Sequence, residues 1–504
     1  LAKIITAMNL ALAFAQSAQS DPSKTALFWG DVRFSYDQFW KQTLVVAQQL
    51  QRSFGVKRGD RVGVWLRNCP EFVPALFGIW QAGAVAVPIN NFLKPAEVQF
   101  ILEDAGIVII ILDETIKEGF ANLKSEREGL KALFVESLPN QTAHESPARL
   151  DLTEGDMALL IYTSGTTGHP KGAVLSHGNL LANVESCRHA LTAVGEDRFV
   201  VLLPMFHSFM LTVGVVLPML IGGSIVLIKT LHPPKNIIME IIQHKATLLP
   251  AVPQFFRALT HSGAPVDLPL RVCISGGAPL PAETLREFTA RFPMPLLEGY
   301  GLSEASPVVS FTPIRGPWKA GSIGVPILGV TISIQNEAGD ILAPRQAGEL
   351  CVRGANVMQG YWNQPEATTQ AMRNGWLLTG DIGYCDEDGY YYITDRKKDM
   401  LLVNGMNVYP REIEEVLYKY PGVAEAAVIG IPDARKGEQP LAFVAAAEGS
   451  PLEQKCLMEF LRERLAEYKV PKKVILMPSL PRNATGKILK TELRKIARKP
   501  QWEA

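Results

Sequence analysis

Between residues 60 and 113 the chain reads DRVGVWL, PEFVPALFGIWQAG, AVAVPI and GIVIIILD: three short apolar runs, with one helical pattern set between the first two. Short runs without polar alternation are buried on both faces, the condition of strands in a parallel sheet covered by helices. The rhythm returns in GSIVLI (223–228), NIIMEIIQHK (236–245), TLLPAV (247–252), RVCISGG (271–277), PAETLREFTARF (281–292) and MPLLEGY (294–300). Strand and helix in alternation predict an α/β fold, with a large N-terminal domain of stacked, mostly parallel sheets and covering helices. Ligands bind such sheets beyond the carboxyl ends of the strands. Glycine-rich segments at 163–172, 275–278 and 299–304 each follow a predicted strand, so they can converge on one site.

From about Gly321 the texture changes to short alternating stretches, VTISIQ, GELCVRG and YYYITD, joined by turn residues such as Asn336 to Asp340 and Asp388–Gly389. They predict an antiparallel, barrel-like subdomain over about 321–395. Beyond residue 396 comes a compact unit: helix PREIEEVLYKY (410–420) closed by Pro421–Gly422, strands AEAAVIG and LAFVAAA, and helix LEQKCLMEFLRERLAEY (452–468). The expected division is therefore 1–396 and a small α+β domain over 397–504. This second part carries 19 basic against 14 acidic residues, in a chain whose 50 basic and 50 acidic residues cancel. A local positive bias suits a polyanionic ligand and equally an ordinary solvated surface.

Global neutrality gives no field for nucleic acid or an anionic membrane. Six cysteines (69, 187, 273, 351, 385 and 456) include no C-x-x-C pair, which fits a reducing compartment and offers no metal site. The opening LAKIITAMNLALAFAQSAQS has the outline of a secretory signal, but Asn9 interrupts its apolar run and Leu10, Phe14 and Ala18 fall at helical spacing. An amphipathic opening helix is the preferred reading. Phe199 to Ile228 has no formal charge and is long enough to cross a bilayer, yet Pro204, His207, Ser208, Pro218, Gly222 and Gly223 divide it. A buried helix followed by a strand is expected there, in a soluble, cytoplasmic protein without a transmembrane segment.

The segment IYTSGTTGHPKGAVLSH (161–177) places Thr163, Ser164, Gly165, Thr166, Thr167 and Gly168 ahead of Lys171, behind the apolar run MALLIY. Backbone N–H groups of a glycine-rich turn form an anion-binding concavity, hydroxyls add donors, and a lysine adds charge. It is not a Walker A loop, because Lys171 follows Pro170 and precedes Gly172. Alone, such a loop is more often a plain surface turn, and the density of donors beside a buried strand turns the reading toward function.

TSGTTGHPKG closely resembles the signature loop of the adenylate-forming superfamily, which includes acyl-CoA synthetases, luciferases and the adenylation domains of peptide synthetases. PMFH (204–207), SGGAPL (275–280), GYGLSE (299–304), TGD (379–381), DRKKD (395–399), NGMNVYPREIE (404–414) and PRNATGK (481–487) follow in the family's order, so the resemblance runs nearly end to end. It implies two half-reactions: a carboxylate and Mg²⁺-ATP give an acyl adenylate, and a thiol, often that of coenzyme A, then takes the acyl group. It further implies that loop 163–171 holds the β- and γ-phosphates, that Glu304 ligates Mg²⁺, and that the Ser303 hydroxyl, standing where the family usually has threonine, reaches the α-phosphate. Adenine is expected between Gly276-Gly277-Ala278 and Tyr300-Gly301, the ribose on Asp381 with Arg396 in support. Lys487 is expected to bridge carboxylate and α-phosphate. Taken singly, Glu304 also reads as a helix-start carboxylate, Asp381 as a turn residue, Tyr300 as a core aromatic and Lys487 as a solvated lysine; the eight motifs in order argue for the site.

By the same resemblance the small domain is mobile, rotating at Lys398 so that Gly405, Met406 and Asn407 come to line a pantetheine tunnel. Amino-acid-activating relatives place an aspartate after the PMFH region to pair the substrate ammonium. Met205 to Ile221 contains no carboxylate, which favours an acid without an α-amino group. Met210, Val213, Gly214 and Leu217 run at helical spacing, and with Pro307 and Val308 opposite and His207 at the mouth they outline a candidate acyl pocket; each also reads as core packing. The expected activity is a fatty acyl-CoA synthetase, with an aryl-CoA ligase of the coumarate type, a carrier-protein-loading acyl-AMP ligase and a catalytically silent interaction protein as alternatives. Expected partners are a fatty acid and coenzyme A as substrates, and no nucleic acid. Oligomeric state, a homodimer included, and peripheral contact of the opening helix with a membrane stay open.

Overall fold

The computed structural model describes residues 9–126, 129–140, 147, 151–163, 170–404, 406–433, 435–483 and 486–498. Two parallel-cored sheets carry the first two-thirds of the chain. In a nine-stranded sheet, Leu296–Gly301, Val272–Ser275, Leu248–Ala251, Arg198–Val201, Ser224–Leu227 and Thr25–Trp29 lie side by side in parallel, with antiparallel strands at both edges. In a seven-stranded sheet, Met157–Thr163, Val85–Pro88, Arg61–Trp65, Ile109–Leu112 and Lys131–Phe134 form the parallel part. Antiparallel Lys171–Ser176 and Gly360–Tyr361 extend it.

The apolar runs are continuous because each strand serves two cores. Phe199, Val201, Ile225 and Leu227 face a central core shared with Val62, Val64, Ile109 and Ile111 of the other sheet. Their sequence neighbours Val200 and Val226 pack into an outer core on one side, and Ile110 and Leu112 into an outer core on the other. Alternate residues of a strand point to opposite faces, so neither face can be polar. Helices Leu10–Ser20, Tyr36–Gln48, Phe72–Gln81 and His177–Ala190 supply side chains to the central core between the sheets.

The opening helix buries Leu10, Phe14 and Ala18, with the Phe14 ring stacked on Phe77 at 4.2 Å. Asn9, read from the sequence as an interruption, is its N-cap, its side-chain oxygen accepting from the Leu12 N–H at 2.9 Å. The uncharged stretch 199–228 differs from expectation by one element. It holds most of strand Arg198–Val201, a helical segment over Met210–Ile221 and strand Ser224–Leu227, the two strands pairing in parallel. No helix among the described residues is long and apolar enough to cross a membrane.

The antiparallel region is a five-stranded sheet in which Trp376–Cys385 pairs with Gly348–Gly354, Met372–Arg373 and Tyr391–Arg396, and Val330–Gln335 forms an outer strand. Among the described residues its pairings form an open ladder. The small C-terminal domain has its own five-stranded sheet, with Gly437–Ala446 at its centre, paired with Val423–Asp433, Leu401–Val403 and Val474–Met477. Helices Pro410–Tyr418, Gln454–Arg464 and Lys490–Ala497 accompany it, and two apolar clusters form its core. The second of these helices stops at Arg464, four residues before its expected end. Arg257 joins the two parts, its guanidinium donating to the carbonyls of Val423 and Ala424 at 2.7 and 2.8 Å.

Gly78, in helix Phe72–Gln81, faces Val46 so closely that an added Cβ would stand 2.5 Å from the Val46 Cβ. That neighbour is the root of a β-branched side chain and cannot swing aside. Gly78→Ala is expected to destabilise the fold by about 1–3 kcal/mol through overpacking; a Tm unchanged from wild type would show that the helix pair has slack.

Candidate active site

Thr163 and Lys171, from the first glycine-rich segment, line one cavity together with Gly276, Gly277 and Gly299 to Glu304. Thr163 and Lys171 face each other across an antiparallel pair, which closes the ends of the intervening loop. Ser164, Gly165, Thr166, Thr167 and Gly168 themselves lie outside the described residues. Strand Val272–Ser275 delivers Gly276 and Gly277, and strand Leu296–Gly301 delivers Tyr300 and, just beyond it, Ser303 and Glu304. All of these border a cavity of about 1000 Å³. Gly277 has φ +79°, and a Cβ at Gly276 would press on the Phe209 ring at 3.1 Å. At Gly301 a Cβ would collide with the Pro307 carbonyl, which instead accepts the Leu302 N–H at 3.0 Å. Glycine is therefore required there for close backbone approach.

At one end of the cavity the Glu304 carboxylate oxygen Oε1 accepts from the Tyr361 hydroxyl at 2.9 Å and lies 3.5 Å from the Thr163 hydroxyl. Lys171 Nζ stands 5.2 Å from the centre of the Tyr361 ring. Burial, then the Glu304 charge, push the Tyr361 hydroxyl above the ordinary tyrosine range, so it stays a donor. Among the described residues no three His, Cys, Asp or Glu side chains form a metal cluster. One carboxylate and a hydroxyl fit a hard cation such as Mg²⁺, which takes few protein ligands and completes its shell with phosphate and water.

Toward the other end the register of Trp376–Cys385 with Tyr391–Arg396 sets Asp381 opposite Arg396. Asp381 Oδ1 lies 3.0 Å from Arg396 Nε, and its Oδ2 accepts from the Tyr300 hydroxyl at 2.6 Å. The Asp381 charge raises the Arg396 pKa, and burial raises that of Tyr300. Ala278 borders a smaller adjoining cavity of about 270 Å³, shared with Tyr300, Asp381 and Lys487. A carboxylate so held can accept from a pair of hydroxyls, and the glycine-lined slot beside Tyr300 suits a flat ring.

His207, Ser208, Ser303 and Lys487 line the same cavity. The Ser208 and Ser303 hydroxyls are hydrogen-bonded at 3.0 Å. Burial, aided by the Lys487 charge, lowers the His207 pKa to about 4, leaving a neutral ring whose Nδ1 accepts from the Phe209 N–H at 3.3 Å. Lys487 reaches the cavity from the small domain, its backbone N–H anchored on the Asn483 side-chain oxygen at 2.9 Å. Its surface opens to the cavity while protein crowds it. That crowding, then the Arg396 charge, lower its pKa to about 8 against the pull of Asp381.

The apolar pocket is only half as expected. His207, Val213, Pro307 and Val308 line the cavity, whereas Met210, Gly214 and Leu217 are packed in the interior away from it. The physical reason is the backbone. Met210–Val216 is π-helical, the Leu217 N–H reaching back five residues to Thr212, so a spacing of 3.6 residues selects the wrong face. Cys187, Ala190 and Leu191, at the end of helix His177–Ala190, and Ile274 and Phe311 complete the apolar wall instead. No periodic signal marked them. Met406 and Asn407 form part of strand Met406–Val408, are exposed, and border neither cavity; Gly405 lies outside the described residues. Lys398 does line the larger cavity. Tyr361 is the functional candidate that the sequence reading missed.

Comparison with known proteins gives the family. Residues 14–362 match the AMP-binding enzyme family, and residues 412–487 match the AMP-binding enzyme C-terminal domain. The chain is 36% identical to a long-chain-fatty-acid–CoA ligase of Bacillus subtilis, over 95% of this chain and 92% of that protein. It is 38% identical to a feruloyl-CoA synthase of an Amycolatopsis species, over 95% and 97%. The crystal structure of ATP-bound MatB from Rhodopseudomonas palustris superposes with a TM-score of 0.91 at 33% identity, covering 98% of this chain and 100% of that one.

Lys487 is expected to titrate near pH 8, well below an ordinary lysine. Arg396→Gln removes a repelling charge and releases Asp381 from its partner, so both effects raise the Lys487 pKa. Side-chain amine NMR across pH 6–11 would show the rise; a downward shift would mean that Arg396 does not act on Lys487 by charge.

Proposed function

This chain belongs to the AMP-binding enzymes, the adenylate-forming superfamily of acid–thiol ligases, and from that premise we propose that it is a fatty acyl-CoA synthetase. The observation that carries the substrate reading is the uncharged apolar wall of Cys187, Ala190, Leu191, Val213, Ile274 and Phe311 opening off the cavity that holds Lys487, Ser303 and Glu304. A hydrocarbon chain gains about 0.8 kcal/mol per buried CH₂ against such a wall. Among the described residues no acidic side chain belongs to that wall, the carboxylates of the cavity being Glu97, Glu304 and Asp381.

Adenylate-forming ligases use ATP, Mg²⁺ and coenzyme A, and the residues take these roles in the proposal. The loop through Thr163 and Lys171 holds the terminal phosphates. Asp381 accepts the ribose hydroxyls while Tyr300 and Arg396 fix its two oxygens. Glu304 holds Mg²⁺, which when bound neutralises phosphate charge. Ser303, tied to Ser208, presents its hydroxyl to the α-phosphate. A substrate carboxylate oxygen bonds to the α-phosphorus as the bond to pyrophosphate breaks, and the Lys487 ammonium lies between the two anions and offsets their repulsion. Neutral His207 orients the carboxylate without adding charge.

In the second half-reaction the thiol sulfur bonds to the acyl carbon, AMP leaves with the bridging oxygen, and the thiol proton passes to solvent or base. The unit from residue 397 turns about Lys398, withdrawing Lys487 and bringing Gly405, Met406 and Asn407 to the cavity mouth. Exposed Met406 and Leu402 on the hairpin are free to make that contact.

A second reading, an aryl-CoA ligase, is favoured by the Phe209 and Phe311 rings bordering the cavity and by the identity to the Amycolatopsis feruloyl-CoA synthase. CoA-dependent AMP release with straight-chain acids from acetate to stearate, beside coumarate and benzoate, separates the two. Turnover that rises with chain length is expected; preference for the aromatic acids would replace the fatty acyl reading and leave the ATP residues in place.

A further inference from the structure

Gly360–Tyr361 crosses from the antiparallel sheet to the edge of the seven-stranded one, pairing Gly360 with Val174 and Tyr361 with Ala173. Three bonds of 2.8 Å from backbone N–H groups hold the crossing. The Met358 N–H donates to the Glu304 carbonyl, the Tyr361 N–H to the Thr368 hydroxyl, and the Trp362 N–H to the carbonyl of Gly172. The segment is thus fastened on one side to the residue carrying the carboxylate and on the other to the residue after Lys171.

Its one side chain inside the cavity touches both charged groups through different atoms. The Tyr361 hydroxyl donates to Glu304 Oε1 at 2.9 Å, and Lys171 Nζ sits 5.2 Å from the ring centre. A hydroxyl on one carboxylate oxygen fixes the plane of the carboxylate, and partners of this kind control metal affinity. An aromatic face holds an ammonium within about 6 Å of its centre. Because one rigid side chain makes both contacts, carboxylate and ammonium are set at a fixed separation before any ligand arrives. The Thr163 hydroxyl lies farther from the same oxygen, at 3.5 Å, and leaves Tyr361 as the stronger hold.

We propose that Tyr361 is a positioning residue for the metal–polyphosphate end of the site, its hydroxyl orienting Glu304 and its ring orienting Lys171. The inference rests on the assignment of Glu304 to the metal and Lys171 to phosphate. It is tested on the full chain with Tyr361→Phe, Tyr361→Leu and Glu304→Gln, using Mn²⁺ as the metal probe. Mn²⁺ binding with ATP present is read by electron paramagnetic resonance, and ATP binding in chelator is read by calorimetry.

Tyr361→Phe, which keeps the ring and its packing, is expected to weaken Mn²⁺ binding about ten-fold while metal-free ATP binding stays at the wild-type level. Tyr361→Leu is expected to weaken both. Wild-type Mn²⁺ affinity in Tyr361→Phe, with Glu304→Gln impaired, would overturn the positioning role alone. Unchanged Mn²⁺ affinity in Glu304→Gln would overturn the assignment of the metal to Glu304, and this inference with it. An equal loss of metal-free ATP binding in the Phe and Leu variants would overturn the separate role of the ring.

Discussion

Burial of both faces of each parallel strand is the constraint on which the rest of the molecule depends. Residues such as Phe199 and Val201 point into the helical layer between the sheets while Val200 points out, and no register slip of one residue leaves either core intact. Strands locked in this way end at fixed places. Thr163, Ser275 and Gly301 stand at such ends, so the loops that follow are held where a ligand can be met by several of them together. The exposed backbone of those loops is what the sheet offers to a phosphate or a ring.

Charge in the cavity is arranged on that frame. Arg396, Lys398 and Lys487 converge on one region with Asp381 among them, and burial, then repulsion from Arg396 and Lys398, depresses the Lys487 pKa. Such an arrangement is poised for additional negative charge. An anion entering between Lys487 and Arg396 would relieve repulsion already present in the protein. The lysine comes from the small domain and the remaining groups from, or next to, the large one, so the relative position of the two parts decides whether the cluster is assembled.

Much of this was legible in the chain. Apolar runs bounded by glycine announced the parallel strands, and eight motifs in order announced the nucleotide chemistry. What stayed hidden has identifiable causes. Strand Arg198–Val201 runs on into LLPMFH without a polar break, so length and periodicity did not separate it from the helix that follows. Met210, Gly214 and Leu217 were assigned to the pocket on a 3.6-residue period that the π-helical backbone does not keep. Cys187, Ala190 and Leu191 come from the last turn and cap of a helix in which buried Asn183 and Ser186 stand among the apolar residues, so no sharp stripe marks its face. Tyr361 reaches the cavity on a two-residue strand that pairs with Lys171–Ser176, a long-range placement that no local pattern encodes. Asn9 shows the converse case, a polar residue in an apolar run whose meaning as a cap becomes plain once the helix is seen.

The central claim is that Lys487 serves the first half-reaction alone, as the cation between carboxylate and α-phosphate. Its direct test is Lys487→Ala assayed separately for acid-dependent ATP–pyrophosphate exchange and for thioester formation from supplied acyl adenylate. Loss of exchange with thioester formation retained is the expected result. Equal loss of both would contradict the account, because a lysine withdrawn by rotation of the small domain cannot be needed for the second step.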